Sequence, residues 1–408
     1  MPKCPACGEE AQNEWKFCPE CGMRQDLDSE DNYPLEKIRY LWERQENGKF
    51  LYANFASVRN CGTMPYKKVQ TIRPELGDFP HVYFYSLYEF SLLYLAPSLA
   101  SDFYKIGKIL GYYTAYAGLK ASKLEKVVDA LRKTKLSWEL FSRIADAQTH
   151  GWRGIHHGIV DKIDANGVKK TITYWIRYTP ELSASKSTNP TCFVSLGAIC
   201  GHCESVFGSF FDGTETHCMS KGDSQCIFEV HSHENEEEPT LTLPTRTEEN
   251  ILLDTLITKI TKKEAVNRGE LSESSYFLGS QADSYLINSI SPGHVVLSKH
   301  AGRICGERIA EKAQLQGQDA ALTYLEDMFL YLKAGILHSE KAGDRVIIKM
   351  KESVYASGVS NIHQNLCIFL AGIIEGALNK ATGQKWDVSE MKCLASGFPE
   401  CEFWCKKI

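Results

Sequence analysis

Long apolar runs, an export signal and an excess of basic charge are all missing from this 408-residue sequence. The best apolar candidate, residues 90–100, is interrupted by Pro97 and is shorter than the ~18 residues of a membrane span. The formal net charge of −5 gives no electrostatic reason to expect nucleic acid or an anionic membrane as a partner. Since no signal-like segment precedes Cys4, we expect a cytoplasmic protein.

Sequence motifs of common enzymes are missing as well. The chain contains no nucleophile elbow, phosphate-binding loop or dinucleotide fingerprint. The glycine pairs Gly107/Gly111 and Gly302/Gly306 are interpreted as close contacts between helices, not as phosphate sites. We therefore treat enzymatic activity as uncertain and expect a binding function instead, with no catalytic residues assigned.

Cysteine, by contrast, is plentiful, with 15 residues. Without an export signal, these cysteines point to metal ligands and not to disulfides. The first four form two Cys-x2-Cys pairs, at Cys4, Cys7, Cys18 and Cys21. Two such pairs make a closed tetrahedral zinc site, so residues 1–26 are predicted to form a zinc ribbon that could contact a protein partner.

An internal duplication is the most informative feature of the sequence. Three cysteines and a glutamate recur with one displacement of 175 residues: Cys192, Glu215, Cys218 and Cys226 become Cys367, Glu390, Cys393 and Cys401. Upstream, the glycine pairs match at a displacement of 195, and the Gly-Ile pair at 154–155 is matched to that at 335–336. Each quartet offers three thiolates and one carboxylate, a closed set suited to zinc.

Each repeat has the pattern of helices, strands, a further helix and a terminal hairpin. We therefore predict an α/β (α+β) class with two tandem mixed domains behind the ribbon. The predicted boundaries are 30–230 for the first domain, with an N-terminal extension, and 251–408 for the second. The acidic, apolar-poor residues 231–250 between them are interpreted as a solvated linker.

The twice-repeated spacing Cys-x22-Glu-x2-Cys-x7-Cys resembles that of the 4-vinyl-reductase (4VR) domain family. This resemblance implies a fold similar to the small subunits of vesicle-tethering complexes. In the phenol-responsive sensors of that family, a Cys3Glu zinc lies beside a mostly apolar pocket, and two domains pair. The resemblance thus implies zinc at both quartets, up to three Zn²⁺ per chain with the ribbon, and a pseudo-dimer of the repeats within one chain.

An aromatic-rich segment in the first repeat suggests an apolar ligand pocket. The residues proposed to bind a small hydrophobic or aromatic ligand are Tyr85, Tyr88, Tyr112, Tyr116, Trp152 and His156. The alternative is that these aromatic residues form ordinary core. The second repeat has fewer aromatic residues at the matching place, so we expect the first repeat to bind the ligand.

Cys200-Gly-His-Cys203 has the spacing of a thiol redox pair, but it lies inside a predicted helix. At the displacement of 175, Cys203 corresponds to Leu378 on an apolar stripe, which favours buried core. A redox-active pair, Cys200 and Cys203, is kept as an alternative.

The leading functional hypothesis is a cytoplasmic, zinc-binding ligand sensor that passes its state to a protein partner through the ribbon and the linker. One alternative is an accessory protein or reductase-like enzyme for vinyl-bearing tetrapyrroles. A second is a scaffold that binds no ligand, or a thiol redox sensor.

Overall fold

The computed structural model describes residues 72–121, 138, 152, 156–183, 187–235, 241–275, 292–343, 345–359 and 364–408. The predicted ribbon of residues 1–26, with its four cysteines, lies outside these residues, as does the beginning of the predicted first domain. In the part of the chain that is described, no helix is both long enough and apolar enough to cross a bilayer.

The first half combines three helices with a four-stranded antiparallel sheet. Its helices are α1 (Val82–Leu95), α2 (Leu99–Ala121) and α3 (Phe193–Phe207). Its strands are β1 (Ile159–Asn166), β2 (Thr171–Arg177), β3 (Phe210–His217) and β4 (Cys226–His233), in the order β1-β2-β4-β3. Alternate side chains of β2, such as Ile172 and Ile176, are fully buried, because one face of the sheet packs on helix and the other does not.

The second half repeats this arrangement. Its helices are α4 (Arg246–Thr261), α5 (Pro292–Lys312), α6 (Gln318–Tyr331) and α7 (Ile368–Thr382). Its strands are β5 (Ile336–Ala342), β6 (Arg345–Lys351), β7 (Trp386–Lys392) and β8 (Cys401–Lys407), in the order β5-β6-β8-β7. The two sheets share strand order and antiparallel pairing, and the mixed α/β class predicted from the sequence is confirmed.

Strand register identifies the residues that correspond between the halves. The first strand of each sheet begins with isoleucine, and Ile159 pairs with Arg177 as Ile336 pairs with Lys351. The Gly-Ile pair at 335–336 therefore corresponds to that at 158–159, and the match to 154–155 was wrong. Two Gly-Ile pairs stand four residues apart in the first half, and only the sheet register tells which one begins the strand.

Glycines allow the principal helices of each half to pack with their backbones in contact. A Cβ added to Gly107 of α2 would lie 2.1 Å from the carbonyl oxygen of Val194 in α3. In the second half, a Cβ on Gly302 of α5 would lie 2.1 Å from the carbonyl oxygen of Phe369 in α7. No other residue fits at such a distance, which confirms that the glycine pairs are helix contacts.

Helix α1 is buried along almost its whole length and packs chiefly on α4 and α5 of the second half. The Tyr88 ring meets the Phe369 ring edge-on, with centroids 5.0 Å apart, and the Phe84 ring lies 5.3 Å from that of Tyr355. A helix from the predicted first domain therefore completes the core of the second half.

Two short segments cross between the halves in opposite directions. Residues 72–82 run towards the second half, where the His81 amide donates to the carbonyl of Leu332 at 3.0 Å. Residues 266–275 run towards the first half, and the two segments meet at an antiparallel bridge between His81 and Ser274. The joint between the halves is thus an exchange of equivalent segments.

Each crossing segment carries a buried arginine whose donors reach backbone carbonyls of the other half. A terminal nitrogen of Arg73 donates to the carbonyl of Lys333 in the second half. Arg268, 3% exposed, donates to the carbonyls of His156 and Tyr178 in the first half, at 2.7 and 2.6 Å. Buried polar groups at the joint therefore find partners across it.

The predicted linker of residues 231–250 is shorter in the structure. Strand β4 continues to His233, and α4 begins at Arg246, so irregular backbone is confined to residues between them; 236–240 lie outside the described set. The Thr245 hydroxyl accepts from the Glu248 amide, while the Glu248 carboxylate accepts from the Thr245 amide. This capping box starts a helix inside the acidic run, a start signal that composition alone concealed.

Candidate functional site

The first predicted metal quartet comes together where helix α3 meets the β3–β4 hairpin. Cys192 caps the N-terminus of α3, Glu215 lies near the end of β3, and Cys218 and Cys226 flank the hairpin turn. One ligand atom from each of the four lies within 4.8 Å of the other three. The Cys192 sulfur is 3.9 Å from that of Cys218 and 3.8 Å from that of Cys226.

The second quartet occupies the same place in the second half. Cys367 caps α7, Glu390 lies in β7, and Cys393 and Cys401 flank the turn before β8. Its ligand atoms also lie within 4.8 Å of one another, with sulfur–sulfur distances of 3.6 Å (Cys367–Cys401) and 3.9 Å (Cys393–Cys401). The structure thus brings together all eight predicted residues.

The turn of each hairpin aims a backbone amide at a cysteine sulfur. Gly222 ends the first turn with a φ of 101°, and its counterpart in the second turn has a φ of 91°, a region that favours glycine. The Met219 amide lies 3.4 Å from the Cys226 sulfur, and the Leu394 amide 3.5 Å from the Cys401 sulfur. Such donors favour a negatively charged sulfur.

Each quartet also contains a buried carboxylate oxygen that no described residue satisfies. One oxygen of Glu215 accepts from the Cys192 amide at 3.2 Å, and one of Glu390 accepts from the Cys367 amide at 2.9 Å. The other oxygen of each carboxylate is buried and has no hydrogen-bond donor among the described residues. Because burying such an atom is costly, a cation at the centre of the four groups fits both clusters. Each cluster could hold a metal ion.

The ionisation of the clusters points the same way. Burial raises the pKa values of Glu215 and Cys192 well above their ordinary range, whereas the hydrogen bond from Cys192 most strongly lowers the pKa of Cys218. In the second cluster, the hydrogen bond from Cys367 is the main cause that lowers the pKa of Cys393, to about 2. Without metal, one thiol of each cluster takes the negative charge. A divalent ion would let all four groups ionise, with no open coordination position for water.

Cys200 and Cys203 lie in the interior of α3, and both are 0% exposed. The Tyr174 hydroxyl is 3.4 Å from the Cys203 sulfur. Burial raises the pKa of Cys200 to about 12 and raises that of Cys203 as well. A redox-active thiol needs access and a lowered pKa, so this environment favours buried core over thiol chemistry.

A small, mostly apolar cavity lies between α3 and the first sheet. Its volume is about 10 Å³, which is room for a single water molecule. It is lined by Trp152, Val160, Ile163, Tyr174, Ile176, Ile199 and His202.

Of the six residues predicted to bind ligand, Trp152 lines this cavity. Tyr85 and Tyr88 of α1 are 7% and 2% exposed and belong to the core that α1 shares with the second half. The Tyr88 hydroxyl lies 3.4 Å from that of Ser298 in α5. These two tyrosines therefore join the halves and do not face the cavity.

The remaining three predicted residues are also placed away from the cavity lining. Tyr112 is half-buried on α2, and Tyr116 is on the same helix, with a side chain outside the described set. His156 lies at the joint, where its Nδ1 is 2.6 Å from the Ser272 hydroxyl and its ring is 4.9 Å from that of Phe79.

Two polar residues of the cavity, His202 and Tyr174, were missed by the sequence reasoning. The Nε2 atom of His202 is buried without a hydrogen-bond partner among the described residues, and burial lowers the pKa of this histidine to about 4. At the displacement of 175, His202 corresponds to Ala377. By register, Tyr174 corresponds to Ile348, since each pairs with the matching phenylalanine of the next strand. The difference between the halves was the available signal.

The crossing segments were missed although their sequences repeat. Arginine, glutamate, leucine and an acidic residue recur at the displacement of 195 already seen for the glycines: Arg73, Glu75, Leu76 and Asp78 become Arg268, Glu270, Leu271 and Glu273. A search along that displacement would have marked both buried arginines.

Ser195, His157 and Glu181 form a buried polar cluster that links the start of α3 to the joint. The Ser195 hydroxyl donates to Glu181 at 2.7 Å and lies 3.4 Å from His157 Nε2. These are residue types of a hydrolase triad, but here the acid contacts the serine instead of orienting the histidine. Ser195 is 0% exposed and Glu181 1%, and the charge of Glu181 favours protonated Arg268. The cluster serves structure.

Comparison with known proteins identifies the second half. Residues 346–407, which include α7, β7 and the whole second metal quartet, match the family model of the 4VR domain, the 4-vinyl-reductase family named by the resemblance above. A protein of Methanocaldococcus jannaschii described as uncharacterized is 32% identical over 90 residues, or 22% of this chain and 52% of the relative. The chain thus spans about half the length of the curated relative that it matches.

Two solved structures are also similar over part of the chain. One is a vinyl-4-reductase family protein from Methanocaldococcus jannaschii, with 21% identity, a TM-score of 0.23, and coverage of 27% of this chain and 68% of that one. The other is the phenol-responsive sensory domain of the transcription activator PoxR with phenol, with 16% identity, a TM-score of 0.28, and coverage of 36% and 82%.

Proposed function

We propose that this chain, which carries a 4VR domain at residues 346–407, is a ligand-binding protein made of two 4VR-type halves that pair within one chain. Each half is stabilised by a zinc ion, and the first half takes a small, largely apolar ligand that bears one hydrogen-bonding group. The observation that carries the proposal is the buried, unpaired Nε2 atom of His202 on the apolar cavity.

The pairing of the halves is supported by the exchange of equivalent segments. The carbonyl of Pro80 accepts from the Ser275 amide at 3.0 Å, and these two residues correspond at the displacement of 195. A contact between a residue and its own counterpart is expected on a two-fold axis. The tandem repeat thereby acts as an intrachain pseudo-dimer.

The choice of zinc is supported by the chemistry of the donors. Three sulfurs and one carboxylate oxygen, all buried, suit a borderline-soft ion without redox chemistry. The Cys4, Cys7, Cys18 and Cys21 spacing supports a third zinc in the ribbon, which is proposed to contact a protein partner and carry the ligand signal.

The ligand class follows from the lining of the cavity. Apolar side chains surround the ligand, and His202 and Tyr174 offer polar atoms, while Trp152 offers an aromatic face. A volume of about 10 Å³ means that the cavity must widen when a molecule of phenol size enters. The second half has Ala377 and Ile348 at the two polar positions, so the ligand is expected in the first half alone.

The test is ¹⁹F NMR binding with two probes, 4-fluorophenol and fluorobenzene. We expect 4-fluorophenol to bind about tenfold more tightly, because only its hydroxyl can bond the buried imidazole. In a His202→Ala variant, which copies Ala377, this preference should disappear. His338→Ala, at an exposed histidine of β5, is the matched control and should behave as wild type. Equal preference in the His202→Ala variant and in wild type would refute the assignment.

A ligand-free scaffold is the second candidate, and the small size of the cavity favours it. In that case the side chains of the first half fill its interior, and the paired halves serve to hold partner proteins. Neither fluorinated probe would then bind to wild type at millimolar concentration, and the scaffold would replace the ligand-binding proposal.

A further inference from the structure

The surroundings of the two metal quartets differ at two corresponding positions. In the first half, the hydroxyl of Ser220 lies 2.9 Å from the Cys218 sulfur. The corresponding residue in the second half is Ala395, two positions after Cys393, and it has no hydrogen to donate from its side chain. One sulfur of the first quartet therefore has a hydroxyl neighbour that its counterpart lacks.

The orientation of the Ser220 hydroxyl is set by a second hydroxyl. Thr191 donates to the Ser220 oxygen at 3.2 Å, which leaves the Ser220 proton free to point at the Cys218 sulfur. Thr191 precedes the capping cysteine of α3, and the residue that precedes the capping cysteine of α7 is Leu366, which is 1% exposed. The pair Thr191–Ser220 is thus replaced by two apolar side chains in the second half.

The other sulfur contacts are alike in the two halves, which isolates this difference. The Thr179 hydroxyl is 3.4 Å from the Cys192 sulfur, and its counterpart Ser353 is 3.1 Å from that of Cys367. The backbone amides at Cys226 and its counterpart also match, at 3.4 and 3.5 Å. The contrast between the clusters is confined to the Thr191–Ser220 pair.

The physical consequence concerns the charge of a loaded cluster. Three thiolates and one carboxylate around a divalent ion leave a formal charge of about −2 in a buried site. Hydrogen-bond donors that face the thiolates stabilise this charge, and removal of such outer contacts typically lowers metal affinity by about 10- to 100-fold.

We propose that the two clusters hold metal unequally: the first keeps its ion, and the second is the exchangeable site. This inference rests on the proposed metal occupancy of both quartets. Ser220 and Thr191 act as positioning residues for the first ion, and the second half, with Ala395 and Leu366, releases or exchanges its ion under conditions in which the first half remains loaded.

The experiment follows zinc transfer from the full chain to an excess of a chromogenic chelator. We expect separate kinetic phases for the two clusters, beside a phase from the ribbon. Ser220→Ala should speed the slow cluster phase by about tenfold and leave the fast one unchanged. Ala395→Ser should slow the fast cluster phase, a gain that damage to the fold would not produce. In the cadmium-113 NMR spectrum of the cadmium-loaded chain, each substitution should move a different resonance.

The outcomes separate this inference from the proposed function. Metal bound at both clusters but released at one rate, with neither substitution changing it, would refute unequal retention and leave the metal centres standing. A chain that takes up no metal at either quartet would refute the metal centres themselves, and unequal retention with them.

Discussion

At the scale of single residues, Glu249 is the most unusual side chain of the second half. It lies in the first turns of α4, is 0% exposed, and has no hydrogen-bond partner for either carboxylate oxygen among the described residues. Burial, with a smaller contribution from Glu248, raises its pKa from 4.5 to about 8. The folded protein therefore prefers the protonated acid, whereas the unfolded chain ionises near pH 4.5.

This preference makes the free energy of unfolding depend on pH. Below about pH 4.5 the carboxyl is protonated in both states, and the stability tied to the neutral acid is fully present. That stability is lost as the pH rises through about 8, with a limit of about 5 kcal/mol. Glu249→Gln should thus differ little from wild type at pH 4.5 and be more stable than wild type at pH 9, as measured by urea unfolding.

Glu248→Gln provides the control for this prediction on the same helix. Burial raises the pKa of Glu248, and hydrogen bonds from Thr245 lower it, with a net lowering. Its carboxylate therefore stays ionised from pH 5.5 to 9, and the loss of the capping box should cost a constant amount, about 1 kcal/mol. If the difference between Glu249→Gln and wild type were equally constant, the burial of an acid at this position would not have the stated effect.

At the scale of elements, the two crossing segments hold the halves together, and Arg268 makes the larger set of described bonds. Besides the carbonyls of His156 and Tyr178, it donates to those of Ser272 and Ser274, at 3.1 and 3.3 Å. Arg268→Met would leave these buried oxygens and Glu181 without their donor and counter-charge. We expect a loss of about 3–5 kcal/mol in the free energy of unfolding, measured with urea.

Arg177→Met is the matched control. The Arg177 guanidinium binds Asp161 at 2.6 and 2.7 Å, but this pair lies on the surface, with side-chain exposures of 36% and 30%. Its removal should cost no more than about 1 kcal/mol. Equal losses for the two variants would mean that the joint does not depend on the arginine.

The same elements explain which parts of the structure were predictable. The quartets of Cys192 and Cys367 were found because metal ligands need specific residue types at repeated spacings. The helix class of the glycine pairs followed from spacing as well. The packing of α1 on the second half was not predictable, because an all-round apolar helix such as Val82–Leu95 carries no direction towards a partner.

The cavity shows the same limit from the other side. The aromatic run that includes Tyr85 and Tyr88 suggested a pocket, but aromatic side chains fill a core as readily as they line a pocket. His202 was concealed between Cys200 and Cys203, whose spacing drew attention to redox chemistry. Only the difference from Ala377 in the other half marks it as a residue of the cavity.

At the scale of the whole molecule, duplication followed by divergence connects these features. Both halves keep the fold, the helix contact through glycine and the metal quartet, since each of these supports the half in which it lies. The halves differ where they need not be alike: at the polar cavity residues of the first half and at the hydroxyl neighbour of Cys218. We therefore assign stability to what is repeated, and ligand binding and metal exchange to what is not.

The most direct test of this account is the zinc content of the full-length purified chain, measured by elemental analysis together with native mass spectrometry. We predict three zinc ions per chain, one for the ribbon and one for each quartet, and two in a Glu390→Ala/Cys393→Ala variant. A single zinc ion in wild type, unchanged in that variant, would leave only the ribbon and contradict the proposal that each half is built around a metal.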